Sequence, residues 1–93
     1  MDIQHETRGH RGSFYAEHEG ERAAEMHYVM AGQERLIIDH TEVGEVLRGR
    51  GVGEKLVEAS VRYARRHKLH ILPLCPFAKK MFTRHAEWHD VLK

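Results

Sequence analysis

The segment Arg48-Gly49-Arg50-Gly51-Val52-Gly53 sets three glycines and two guanidinium groups directly ahead of a strongly patterned helix. Glycine lets a backbone approach a ligand without a Cβ in the way. The first turn of a helix carries N–H groups with no acceptor of their own, so the arrangement suits an anionic, phosphate-bearing ligand. Arg48 and Arg50 add positive charge at the same place. The hexapeptide also has a plain steric reading as a tight turn, and it fits neither common nucleotide motif. Glu54-Lys55 stands where a P-loop needs Lys-Ser/Thr, and the spacing Gly49-x-Gly51-x-Gly53 is not that of a dinucleotide fingerprint. The other reactive group is the lone thiol, Cys75, held extended by the proline that follows it.

The elements that must position these groups can be read from periodicity. A first strand is expected around Ile3 to Thr7. Residues 11–19 alternate, with Phe14 and Ala16 on one face and Ser13, Tyr15 and Glu17 on the other. After a turn at Glu19-Gly20-Glu21, residues 23–30 place Ala24, Met26, Tyr28 and Met30 together, and the two runs form a hairpin. Residues 35–43 begin apolar and end polar, as a central strand reaching a site would. A helix from about Gly51 to His67 carries an apolar stripe of Val52, Leu56, Val57, Ser60, Val61 and Ala64. Its outer face bears Arg62, Arg65 and Arg66, most simply a solvated face near the negative end of the helix dipole. Leu69–Leu74 reads as a strand parallel to the one ending at Val43, joined to it by a right-handed crossover. A ligand in such a unit sits at the carboxyl ends of the two strands, where the glycine turn meets Cys75. Phe77 to His85 reads as a second, short helix with Phe77, Met81 and Phe82 on one side.

Ninety-three residues make one small domain, 1–93. A net charge of +1 gives no global electrostatic case for nucleic acid or an acidic membrane, so any anion site must be local. One cysteine allows no internal disulfide, which favours a reducing, cytoplasmic setting. No apolar run is long enough for a membrane span, and the first residues lack the pattern of a signal peptide.

Three segments carry a resemblance. His40-Thr41-Glu42-Val43 precedes the glycine loop, Cys75-Pro76-Phe77 follows the crossover helix, and Arg84-His85-Ala86-Glu87-Trp88 lies near the end. With Arg48, Gly51 and Gly53 at Arg/Gln-x-x-Gly-x-Gly/Ala spacing, they make residues 35–92 similar to the compact, single-domain subgroup of the GNAT superfamily of acetyl-CoA-dependent N-acetyltransferases. Glu45 and Ala86 depart from prolines of the pattern. The resemblance implies a minimal α+β fold: a mixed, mostly antiparallel five-stranded sheet, a parallel β-α-β crossover and a short C-terminal helix. It implies that strands four and five splay and admit the pantetheine arm of coenzyme A. The pyrophosphate would lie on the amides of Gly49, Arg50, Gly51, Val52, Gly53 and Glu54, with Arg48 and Arg50 on the phosphates. Thr41, Glu42 and Val43 would offer backbone groups to the pantetheine amides. The expected partners are acetyl-CoA and an amine acceptor, with no nucleic acid, membrane or metal, in a monomer or weak homodimer.

Acetyl transfer needs a free nucleophile, oxyanion stabilisation and an acid for the leaving thiolate. The superfamily often supplies a tyrosine acid near position 82, which here is Phe82. Cys75 is the alternative: it either takes the acetyl group or protonates the coenzyme A thiolate, and its plain reading is a small buried hydrophobe. His40 is the candidate base beside it, although nine histidines are scattered through the chain. Glu42 shares a face with His40 by strand alternation and is the other candidate. Two rival classes stand beside the enzyme. One is a zinc site from His85-x-x-x-His89 with Cys75, and the other is a non-catalytic module that binds coenzyme A or a protein.

Overall fold

The computed structural model describes residues 1–92. Five strands, β1 (Gln4–Arg8), β2 (Arg11–His18), β3 (Glu21–Ala31), β4 (Arg35–Val43) and β5 (His70–Pro73), form one sheet in chain order. The first four pair antiparallel, and β5 lies parallel to β4. Helix α1 (Val52–His67) makes the crossover and α2 (Pro76–Arg84) follows β5. Each strand and both helices expected from periodicity are present. Among the described residues there are also two 3-10 segments, Glu45–Leu47 and Ala86–Val91, too short to announce themselves by a repeat.

Local chemistry explains the boundaries. Glu19 and Gly20 both take positive φ, which is what a two-residue turn between twisted antiparallel strands requires. β5 is shorter than its apolar run because the amides of Leu74 and Cys75 both turn onto the carbonyl of Ile38, at 2.9 and 3.2 Å. Pro76, at the first position of α2, then has no N–H to add to the sheet.

The core lies between α1 and one face of the sheet. Leu56, Val57, Val61 and Ala64 are buried with Phe14, Ala16, Met26, Leu36 and Ile38. Ser60, fully buried in the same stripe, donates its hydroxyl to the Val57 carbonyl at 2.6 Å, so no polar group is stranded. Ser13, on the face opposite Phe14 and Ala16, is nevertheless buried, with Glu6 and His27 directly across from it in β1 and β3. The basic face of α1 is exposed, as expected, and on it Arg65 grips the Asp90 carboxylate at 2.7 and 2.9 Å and donates to the Glu87 carbonyl. That contact ties the C-terminal 3-10 segment to the helix.

Edge strand β1 is fastened through His5. Its ring stacks on Phe14 at 4.1 Å, meets Tyr63 edge-on, and places Nε2 2.6 Å from the Tyr28 hydroxyl. Burial first, and then His67, lower the His5 pKa from its ordinary 6.5, while burial raises that of Tyr28 to about 12. The unfolded chain therefore takes up a proton near pH 6.5 that the folded site resists, so this group withdraws stability as pH falls from there towards the folded value. His5→Phe should flatten that acid limb relative to the parent in urea titrations at stepped pH. An unchanged slope would discount the cluster.

Candidate active site

The sheet opens along β4. Its parallel pairing with β5 runs from Arg35↔His70 to Ile38↔Pro73 and stops, while β4 continues to Val43. The edge over residues 39–43 is therefore released from β5 as the chain turns away into α2. This is the splay expected from the resemblance.

A bulge then decides which side chains meet. In the β3–β4 register Tyr28 faces Ile38 and His27 faces His40, leaving Asp39 as the extra residue. One inserted residue exchanges the faces of everything after it. Thr41 and Val43 come opposite Met26 and Ala24 on the core face, and His40 and Glu42 come opposite His27 and Glu25 on the outer face. Directly opposed residues project to the same side of a sheet, so His40 does not stand beside the thiol. Its side chain is 61% exposed, with Nε2 3.9 Å from Glu42 and its ring 6.1 Å from that of His27. The expected sharing of a face by His40 and Glu42 holds; the expected pairing of His40 with Cys75 does not.

Thr41 takes that place. Its hydroxyl lies 3.2 Å from the Cys75 sulfur. Cys75 is only 6% exposed and caps α2, its sulfur accepting the Ala78 N–H at 3.3 Å. The thiol thus sits at a helix N-terminus, within hydrogen-bonding distance of the Thr41 hydroxyl and the Ala78 amide. Phe82 is buried edge-on to Trp88 at 5.9 Å and brings no hydroxyl.

The glycine loop divides by role. Gly49 and Gly51 have φ of 79° and 73°, and a Cβ on either would point into open space. Gly51 caps α1 with no side chain occupying the cap, which leaves the first-turn amides facing outward. Gly53 differs from the sequence reading: a Cβ there would lie 2.4 Å from the Phe77 ring, so this glycine admits α2 rather than a ligand. Arg48 donates from Nε to the Val43 carbonyl at 3.2 Å and joins the loop to the end of β4. A cleft of 290 Å³ beside the loop is lined by Val43, Arg48, Gly49, Gly51 and Glu54, and by Arg84, whose guanidinium joins that of Arg48 there, whereas Arg50 does not line it. A second cleft of 540 Å³, sharing Val43 and Arg48 with the first, is lined by Glu19, Glu21, Glu25 and Glu42.

The C-terminal motif also reaches the loop. His85 lies between Glu54, at 2.7 Å from Nε2, and Glu87, at 3.0 Å from Nδ1, and stacks on Trp88 at 3.9 Å. The Glu87 hydrogen bond, with Glu54 adding to it, raises the His85 pKa; His85 in turn lowers that of Glu87. His89 contacts the Phe82 carbonyl, so His85, His89 and Cys75 are engaged separately. Among the described residues no three metal-ligating side chains converge.

The sequence model of the family described as GCN5-related N-acetyl-transferase matches residues 13–91. The chain belongs to this family. Among solved structures, the GNAT domain is similar to the solution NMR structure of a GCN5-like candidate N-acetyltransferase from Staphylococcus aureus. The two are 34% identical over 99% of this chain and 87% of that one, with a TM-score of 0.75. Ribosomal-protein-alanine N-acetyltransferase of Brucella melitensis shares the fold at 15% identity and a TM-score of 0.69, over 82% of this chain and 62% of that one. GCN5 of Tetrahymena does so at 15% and 0.67, over 81% and 49%. An aminoglycoside 6'-N-acetyltransferase complexed with coenzyme A matches at 15% and 0.59, over 69% and 37%. No functionally curated protein matches the GNAT domain in sequence.

Proposed function

We propose that this GNAT domain transfers acetyl from acetyl-CoA to a primary amine, with Cys75 as the acyl carrier. Family membership supports acetyl-CoA-dependent acetyl transfer in general. The observation that carries the finer reading is the meeting, at one end of the sheet, of a released β4 edge, an α1 N-terminus without a Cβ at Gly49 or Gly51, and a buried thiol.

In this reading the diphosphate rests on the amides from Gly49 to Glu54, with Arg48 and Arg50 neutralising it. The pantetheine amides pair with the Thr41–Val43 edge as an added strand would. The thioester then lies beside Cys75, whose sulfur attacks the carbonyl carbon. The carbon–sulfur bond to coenzyme A breaks, and the thiol proton passes to the departing thiolate. A cationic amine first gives one proton to His40 or Glu42 on the outer face; the neutral amine then attacks acetyl-Cys75, and the cysteine sulfur leaves and takes up the proton that nitrogen loses as the amide forms. The larger cleft carries four glutamates against Arg22 and Arg48, an acidic excess that favours an acceptor cationic before it reacts, such as a polyamine or a protein amine.

The buried, hydroxyl-free Phe82 favours a second reading, a module that binds coenzyme A without turnover. Both predict stabilisation of about 2.7 kcal/mol by coenzyme A at a hundred times its dissociation constant, measured by urea unfolding. Only the enzyme yields acetylated amine by mass spectrometry across a polyamine and peptide panel. Absence of both effects would dispose of the assignment.

A further inference from the structure

The geometry points to His85 as a positioning residue that cancels the charge of Glu54 at the mouth of the glycine-loop cleft, so that a diphosphate can approach the α1 amides. The inference rests on the coenzyme A reading above. It gives a role to the polar pair His85 and Glu87, which the acyl transfer does not use, beside Trp88, which packs in the core.

Glu54 occupies the first turn of α1 and lines the same cleft as Gly49, Gly51, Arg48 and Arg84. An acidic side chain there suits an empty helix terminus but repels a phosphate seeking the same amides. The carboxylate is instead held by His85 at 2.7 Å. The other ring nitrogen of His85 meets Glu87 at 3.0 Å. A neutral imidazole has one N–H and satisfies one carboxylate; only the imidazolium donates to both. The ring cannot turn away easily, because it stacks nearly parallel, at 14°, on Trp88, which is itself buried. Glu87 is fixed in turn, its carbonyl accepting from Arg65, which also holds Asp90.

The charged groups around His85 are therefore Glu54 from α1, Glu87 from the 3-10 segment, Arg84 beside it in α2, and Arg65 behind Glu87. With its proton, His85 offsets Glu54. Without it, Glu54 is left uncompensated beside the incoming diphosphate, so affinity for the ligand should fall as pH rises through the His85 transition. The raised His85 pKa puts that transition above 6.5.

Dephospho-coenzyme A is the appropriate probe, because its diphosphate diester keeps a fixed charge while histidine titrates. Calorimetric affinities between about pH 6 and about pH 9 should weaken on the order of fivefold for the parent protein, the scale of a surface-screened like charge. His85→Gln should bind weakly and independently of pH. Glu54→Gln, a change at a half-exposed side chain that leaves the fold intact, should bind tightly and independently of pH. The double variant should behave as Glu54→Gln. If Glu54→Gln keeps the parental pH slope, or fails to relieve the loss in His85→Gln, the inference is wrong and His85 is only a structural clamp. If the parent protein does not bind dephospho-coenzyme A at any pH, the coenzyme A reading falls and takes this inference with it.

Discussion

Cys75→Ala is expected to abolish the acetyl adduct that acetyl-CoA leaves on the protein and to slow amine acetylation on the order of a hundredfold or more. The physical reason lies in the geometry of the thiol. Its sulfur is nearly buried, accepts the Ala78 amide at the start of α2, and lies 3.2 Å from the Thr41 hydroxyl. A sulfur that attacks a thioester and later leaves carries negative charge at both moments, and those two groups are directed at the atom that bears it. Alanine removes the acyl acceptor with little change in volume, so coenzyme A affinity should survive. Intact-mass measurement with peptide mapping separates the possibilities. If Cys75 only protonates the departing thiolate, the parent protein shows no adduct and Cys75→Ala is slow. Full turnover in Cys75→Ala would remove the thiol from the chemistry altogether.

Gly53→Val is expected to cost about 1–3 kcal/mol of stability, the usual cost of forcing carbon into a packed core. For a domain of this size that corresponds to a fall in melting temperature of roughly 4–8 °C per kcal/mol. A Cβ at position 53 would lie 2.4 Å from one carbon of the Phe77 ring and 2.9 Å from the next, so the ring or the whole of α2 must move. Cys75 caps that helix, and the variant should therefore lose acetyl transfer along with stability. Phe77→Ala supplies a control. Combined with Gly53→Val it should cost less than the sum of the two single changes, because each relieves the other's defect. Strict additivity, or a Gly53→Val protein as stable as the parent, would show that the contact is unimportant.

Much of the fold was open to reading because its signals are local and periodic. The hairpin alternation of Phe14 and Ala16 with Ala24, Met26 and Tyr28, and the stripe of α1, each repeat at the period of their own element. The turn at Gly49 and Gly51 was legible as a local composition with a mechanical meaning, and both glycines take positive φ. The misreadings share a different cause. A bulge is one residue without a partner, and nothing in Ile38-Asp39-His40 distinguishes it from an unbroken strand, so the placement of His40 against Cys75 could not be tested by pattern. Gly53 was assigned to the ligand because a glycine reveals that space is needed and not which neighbour needs it. Arg84, and the contact of His85 with Glu54, depend on where the chain returns after β5. That is a long-range fact carried by no short segment.

The odd residue in β4 also governs traffic. By setting Thr41 on the core side and His40 on the outer side, it offers the proposed reaction two separate flanks of one strand. In that reading the two substrates need not share a doorway: spent carrier would depart along one side while the next nucleophile is already seated on the other.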